Sequence, residues 1–296
     1  MRENKEAINT TVISSTVTGS RFVAAEWNKN IQVWDIHDGF VSKFESELDW
    51  TGESHRISIS EDGRHIAVGA YEENSVALYE SDTGKLLWKK RGIRTTQEVS
   101  ILKFASNIVF IHTEKNGSFL LDRNTGELIE KIRGIVLVRE SPYADINMLE
   151  RRKDFFLKKR RETKKIKGFP FRSFGMLDAC FSKESIFCSY AGNPLEAISL
   201  ETLKPIWAIT VAGHFLDIEY CVDIDTLLGI RWDYNNGGPS YLCYINAKTG
   251  KIEKEVCVGE AVTIRFLCQG KFVVTNHGEV YSTISGQKVK QFDFEN

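Results

Sequence analysis

Seventeen residues from Arg151 to Lys167, RRKDFFLKKRRETKKIK, hold ten basic side chains and two acidic ones, a local charge of +8. The rest of the chain carries 29 basic and 38 acidic residues, so the total charge of −1 conceals a strong asymmetry. A concentrated positive field attracts phosphates and carboxylates. Arg151, Arg152, Lys153, Lys158, Lys159, Arg160, Arg161, Lys164 and Lys165 are therefore candidate ligands for a polyanion. Nucleic acid, an anionic lipid headgroup and an acidic protein surface all fit that chemistry. The string also matches a nuclear localisation cluster. The same residues have a plainer use, because lysine and arginine on an exposed strand edge oppose strand-to-strand aggregation. Phe155 and Phe156 fit strand packing, and the aromatic interleaving that stacks bases is absent from the segment.

A second set mixes aromatic, basic and amide side chains in four short segments. Trp50 and His55 lie in DWTGESH, Arg94 and Gln97 in RTTQ, and His277 in NHG. Trp232 precedes DYNNGGP, which supplies Tyr234 and Asn235. This composition is that of protein-binding hot spots. The competing use of Trp50 and Trp232 is packing inside the fold.

Catalytic chemistry finds less support. The six histidines, His37, His55, His65, His112, His214 and His277, are scattered, and no nucleophile-elbow, zinc-helix or P-loop pattern occurs. A hydrolase or lyase acting on a small molecule would need at least three polar side chains from different repeats to converge. The expectation is a non-enzyme without metal or cofactor. The six cysteines, Cys180, Cys188, Cys221, Cys243, Cys257 and Cys268, contain no C-x-x-C pair, which disfavours zinc. They fall in strand-like runs and are expected to be buried free thiols, with one disulfide left open. MRENKEAINTTVISS lacks an apolar core of signal-peptide length, and no run approaches a membrane span. A cytoplasmic location follows as the expectation.

The elements that position these residues recur. SVALYESDTGKLLWKK is an alternating strand, a turn at Asp82-Thr83-Gly84 and a second strand. Related turns fall at Gly39, Gly126, Gly250 and Gly286, and eroded ones near Thr163 and Leu203. The intervals are 45, 42, 37, 40, 47 and 36 residues. Such a period carried by strands is the pattern of an all-β fold, a single β-propeller of seven four-stranded blades. The blades are expected at about 9–48, 50–92, 93–134, 135–168, 169–211, 212–259 and 260–296, one domain over 1–296. Each blade reads as strands a to d from the centre outward. HRISIS, HIAVGAY, SVALYE and KLLWKK fill those places in the second. The hot-spot segments then fall on d–a and b–c connections, which share one end of the ring. The b–c loop 233–239 is the longest of its kind.

ALYESDTGKLLWKK resembles the repeat of quinoprotein-like propellers in its turn and following tryptophan, and Trp207 takes the place of Trp88 in the fifth repeat. Trp34-Asp35 is similar to the dipeptide that closes strand c of a WD-repeat blade, and Gly213-His214 to the pair that opens one. The resemblance is to the seven-bladed WD-repeat-like superfamily as a whole. It implies a rigid platform that binds a protein through the rim and channel mouth. The quinoprotein branch includes enzymes with a quinone and metal, but no residue cluster here corresponds to those sites.

Overall fold

The computed structural model describes residues 12–294 except 17–18, 27–28, 51–54, 71–72, 94–98, 106, 114–116, 133–135, 141–145, 152–153, 160–161, 166–175, 191–193 and 233–237. Alternation of apolar and small polar residues gives 28 strands among them. The first sheet contains β1 (Val12–Ser15), β2 (Arg21–Ala25), β3 (Asn30–Asp35) and β4 (Gly39–Glu45). The second contains β5 (His55–Ile59), β6 (His65–Ala70), β7 (Ser75–Glu80) and β8 (Leu86–Arg91). β9 (Val99–Ala105), β10 (Ile108–Thr113), β11 (Gly117–Asp122) and β12 (Leu128–Ile132) form the third. β13 (Val136–Glu140), β14 (Ile146–Arg151), β15 (Asp154–Lys159) and β16 (Glu162–Lys165) form the fourth. The fifth holds β17 (Met176–Phe181), β18 (Ser185–Tyr190), β19 (Leu195–Ser199) and β20 (Pro205–Ile209). The sixth holds β21 (His214–Cys221), β22 (Thr226–Trp232), β23 (Ser240–Asn246) and β24 (Ile252–Cys257). β25 (Ile264–Leu267), β26 (Phe272–Thr275), β27 (Glu279–Ser282) and β28 (Lys288–Gln291) form the seventh.

Every sheet is a four-stranded antiparallel meander in chain order. Each sheet touches the next, and β25 of the seventh touches β1 of the first, so the sheets form a ring. The third meets the fourth through β10 and β11 against β13. Because each sheet has a neighbour on either face, its second strand is covered from both sides: β18 is buried at all six positions. Outer strands are not, and β28 is exposed at three of four. Apolar burial is accordingly concentrated at the junctions. Val23, Leu48, Trp50, Ile66 and Tyr79 share one cluster between the first two sheets. Phe22, Leu267, Val274, Phe292 and Phe294 share another between the seventh and the first. At roughly 25 cal/mol per Å² of apolar surface, these clusters supply most of what holds sheet to sheet.

The recurring c–d turns follow one design. Gly84, Gly126, Gly250 and Gly286 have φ of +69°, +69°, +73° and +66°, which glycine adopts without a steric cost. Leu203 takes the same place with φ +57°, and its N–H reaches Ser199 O at 2.9 Å as Gly84 N–H reaches Glu80 O. The eroded fifth repeat thus keeps the turn without the glycine. The fourth differs: Thr163 lies inside β16 opposite Lys158, so its c–d connection is residues 160–161. Cysteines also depart from expectation. All six are free, but Cys257 is exposed at the end of β24, and Cys268 follows β25 in a turn with φ +51°.

Two tryptophans lock neighbouring sheets. A methyl group on Gly126 would stand 2.7 Å from the Trp88 ring, and one on Gly250 the same distance from Trp207. Only a hydrogen at those positions lets the indole lie flat beneath the next turn. The Trp88 indole N–H donates to Arg123 O at 2.8 Å, and that of Trp207 to Ala247 O at 2.9 Å.

Candidate protein-interaction face

In a meander the b–c connections, and the d–a connections that lead to the next sheet, leave from the same end. The hot-spot segments therefore share one end of the ring by topology. Trp50 does not present a contact surface there. Its side chain is 2% exposed inside the first apolar junction, and its indole N–H donates to Glu26 O at 3.1 Å. This corrects its expected role: burial of the large ring at the junction outweighs exposure, and Trp50 supports the face from beneath. His55 opens β5 opposite Ala70. Arg94, Gln97, Tyr234 and Asn235 lie outside the described residues.

Around Trp50 stands a charged rim that the sequence did not single out. Lys29 pairs with Asp49, and Lys89 with Glu73 at 2.8 Å. Asp49 N–H donates to Glu73 at 3.0 Å, and the Lys89 ammonium to Glu47 O at 2.9 Å. The Lys29 ammonium holds the Asp49 carboxyl below the usual carboxylate range. Tyr79 pins the same connection from below, accepting the N–H of Glu47 at 2.9 Å. Nothing in the sequence paired these residues, which lie 16 to 42 positions apart.

On the sixth sheet, Trp232 ends β22 half-buried, with the His214 ring edge-on at 6.1 Å. One position earlier in β22, the Arg231 guanidinium is held by three hydrogen bonds. It donates to Glu255 at 2.9 and 3.1 Å and to Ala212 O at 3.2 Å, and lies 4.7 Å from the centre of the Tyr241 ring. Burial, reinforced by Glu255, pushes the Cys243 thiol up to about 12, so it is not a ready nucleophile. These contacts fix the last two residues of β22, after which comes the seven-residue connection 233–239, the longest b–c connection of the ring. On the seventh sheet Asn276 Oδ1 accepts the N–H groups of Val262 and Thr263 at 2.9 and 3.2 Å, tying the incoming connection to the b–c turn. His277 next to it is half-buried, and its Nε2 has no hydrogen-bond partner in the structure.

The basic run is divided by the fold. Arg151 ends β14 opposite Asp154, so Arg152 and Lys153 form the b–c connection; both lie outside the described residues. β15 then crosses the blade, a six-residue strand of about 20 Å. Lys158 and Lys159 pair with Thr163 and Glu162, and Lys164 and Lys165 with Leu157 and Phe156. Arg160 and Arg161, outside the described residues, connect β15 to β16 at the opposite end. Of the described basic residues of the run, Arg151 thus lies at the end with the hot-spot segments, and Lys158, Lys159, Lys164 and Lys165 lie in the β15–β16 hairpin.

Polar side chains from three sheets do meet, at Asp178, Asp217 and Arg265. They meet on the innermost strands in a buried place, and each carboxylate accepts a backbone N–H of the neighbouring sheet. None of the three was singled out in the sequence. The shared dipeptides Leu177-Asp178 and Leu216-Asp217 at the start of successive repeats were the usable signal.

No family model matches this sequence, and no curated protein matches it. Among solved structures the chain is similar to the WD40 β-propeller domain of Doa1, with 9% identity and a TM-score of 0.65 over 92% of this chain and 90% of that one. At that identity the likeness shows the fold alone, a WD40-type β-propeller, an architecture that hosts many unrelated activities. No helix of the described residues is long and apolar enough to cross a membrane.

Proposed function

We propose that the chain, acting as one propeller over residues 1–296, is a non-catalytic scaffold that binds a protein through the end carrying its d–a and b–c connections. The observation that carries this reading is the connection 233–239. It is the longest b–c connection of the ring, and it follows Arg231 and Trp232, whose side chains are held by Glu255 and Tyr241 in the one case and by His214 in the other. Loops held by a rigid scaffold are where recognition concentrates. His55, Arg94, Gln97, Trp232, Tyr234, Asn235 and His277 supply the contact chemistry, and the Lys29, Asp49, Glu73 and Lys89 rim supplies charge at the border. The inner-strand carboxylates support the non-catalytic part, since they are spent on joining sheets. Six free thiols fit a reducing compartment, which supports the cytoplasm as the site of action.

The test is purification at endogenous levels of the wild-type chain and of a variant with 233–237 replaced by Gly-Ser-Gly-Ser-Gly. A stoichiometric protein partner is expected with the wild type and is lost in the variant, with the melting transition unchanged. Absence of any stoichiometric partner, together with turnover in a metabolite screen, transfers the chain to the hydrolase or lyase class.

A second reading rests on the β15–β16 hairpin, where Lys158, Lys159, Lys164 and Lys165 lie on two paired strands. A polyanion held there would bind with a steep salt dependence, because each neutralised phosphate releases counterions. Retention on heparin at low salt that is abolished by Lys158→Glu, Lys159→Glu, Arg160→Glu and Arg161→Glu together supports it. Failure of the wild type to bind at low salt removes it and leaves the guarded edge.

A further inference from the structure

Six of the seven sheets carry the same irregularity at their outer edge. Where the outer strand pairs with its neighbour, one residue is skipped in the register: Val41, Leu87, Ile129, Ile206, Glu253 and Val289. An extra residue of this kind bends the strand and increases its twist, which spoils the edge as a template for a further strand. The fourth sheet lacks it. Phe156 pairs with Lys165, Leu157 with Lys164, Lys158 with Thr163 and Lys159 with Glu162, so β16 runs along β15 in unbroken register. β16 is the last strand of its sheet, and among the described residues no strand pairs with its other side. Its four residues present an edge about 13 Å long.

Charge decides what such an edge admits. Lys158 to Lys165, KKRRETKK, holds six basic residues and one acidic, a net +5. Guarding the edge does not require that charge, since β20, PIWAI, has no charged residue and keeps the skipped one. The fourth sheet therefore exchanges a guard that turns away every strand for one that selects by charge. A second copy laid edge to edge would set +5 against +5, whereas an acidic strand gains from the same field. We propose that the outer edge of the fourth sheet accepts an acidic, extended segment of a partner protein as a fifth strand. Main-chain hydrogen bonds to β16 supply the affinity, and carboxylates beside the lysine and arginine positions supply the selectivity. This inference rests on the second reading above, that the hairpin holds a polyanion, and narrows it to one class. Nucleic acid brings phosphates but no alternating row of N–H and C=O groups to pair with a strand.

Fluorescence anisotropy of the intact chain at low salt tests this with two labelled, capped peptides, Glu-Val-Glu-Val-Glu-Val-Glu and Glu-Pro-Glu-Pro-Glu-Pro-Glu. Both carry the same charge, but proline removes main-chain donors and fixes φ, so the second loses the pairing. The wild type is expected to bind the Glu-Val peptide at least about tenfold more tightly, with slowed amide exchange at 162–165 in that complex. Inserting one glycine between Glu162 and Thr163 gives β16 the extra residue of the other outer strands and leaves its charge intact. That variant should bind the Glu-Val peptide about tenfold more weakly and be retained on heparin as the wild type is. Equal affinity of the wild type for the two peptides overturns the proposal even if the variant does not fold, because charge alone would then hold them. Retention on heparin without binding of the Glu-Val peptide overturns it and leaves the polyanion reading standing, and binding of neither removes both. A concentration-dependent dimer that is lost in the insertion variant overturns it in favour of a second copy of the chain.

Discussion

The junction between the second and third sheets and the junction between the seventh and first meet the same need with different groups. At the former, the Trp88 ring lies under Gly126 and its indole N–H reaches Arg123 O at 2.8 Å. At the latter, the corresponding place on the outer strand holds Lys290, whose ammonium reaches Ile36 O at 2.8 Å. The hydrogen bond to the next turn is kept, but the flat apolar surface is gone. Phe292 and Phe294, just past β28, restore it. Their rings stand 5.1 and 6.2 Å from Phe22 and the same distances from Trp34. The Phe294 carbonyl also accepts from Gln32 of the first sheet. A junction between sheets that follow one another is held by chain continuity as well as packing. The seventh and first sheets are not consecutive, so among the described residues their junction depends on contacts through space: the aromatic cluster, side-chain hydrogen bonds and one backbone bond, Cys268 N–H to Gly19 O at 2.7 Å.

The largest effect should come from breaking that closure. Phe292 and Phe294 are 3% and 8% exposed, and truncating a buried phenylalanine costs about 3–5 kcal/mol. Phe292→Ala with Phe294→Ala should therefore remove a large share of the stability measured by urea unfolding. Limited proteolysis should then cut the first or seventh sheet before the middle of the chain. Uniform cleavage would mean that the closure is no weaker than the other junctions. Trp88→Ala should cost less, about 2–3 kcal/mol, because the ring is only half-buried and the connected chain holds the sheets together. Trp88→Phe separates the two parts of that contact. It keeps most of the apolar surface and loses the bond to Arg123 O, for about 1 kcal/mol. If Trp88→Ala destabilises as much as the paired phenylalanine variant, chain continuity contributes nothing and the contrast fails.

The same contrast explains what could be read from the sequence. The sheets and turns were legible because a period of two inside strands and a turn residue at a fixed offset are local patterns. Leu203 was found without a glycine because its flanking strands kept their alternation. The fourth turn was displaced, since charged residues run through strand and connection alike and leave no punctuation at 160–161. Trp50 was ambiguous because a ring beside a loop reads the same whether it faces water or the next sheet; only its 2% exposure decides. Asp178 and Asp217 went unseen, because a carboxylate within an apolar strand shows its purpose only when the neighbouring strand's N–H is in place. What escaped is what depends on contact between sheets.

The smallest effect should come from Lys290, and it sharpens the comparison most. Its ammonium donates to Ile36 O and also lies 4.7 Å from the centre of the Phe292 ring, a cation–π contact inside the closure. Lys290→Met keeps a stem of similar length against the ring but removes both the donor and the charge. A hydrogen bond to a part-buried carbonyl and a cation–π contact from a half-buried lysine each contribute about 0.5–1 kcal/mol, so a loss of about 1 kcal/mol is expected. Lys290→Trp then asks whether the closure can be rebuilt on the pattern of Trp88. The space is already filled by Phe292 and Phe294, so the larger ring should overpack and destabilise by about 1–3 kcal/mol. The same Lys290→Trp change made together with Phe292→Ala should recover part of what Phe292→Ala alone loses. Urea unfolding of the four chains forms a double-mutant cycle. A coupling energy near zero would show that the lysine and the phenylalanine act independently, and that the closure is not the exchange of one aromatic anchor for another.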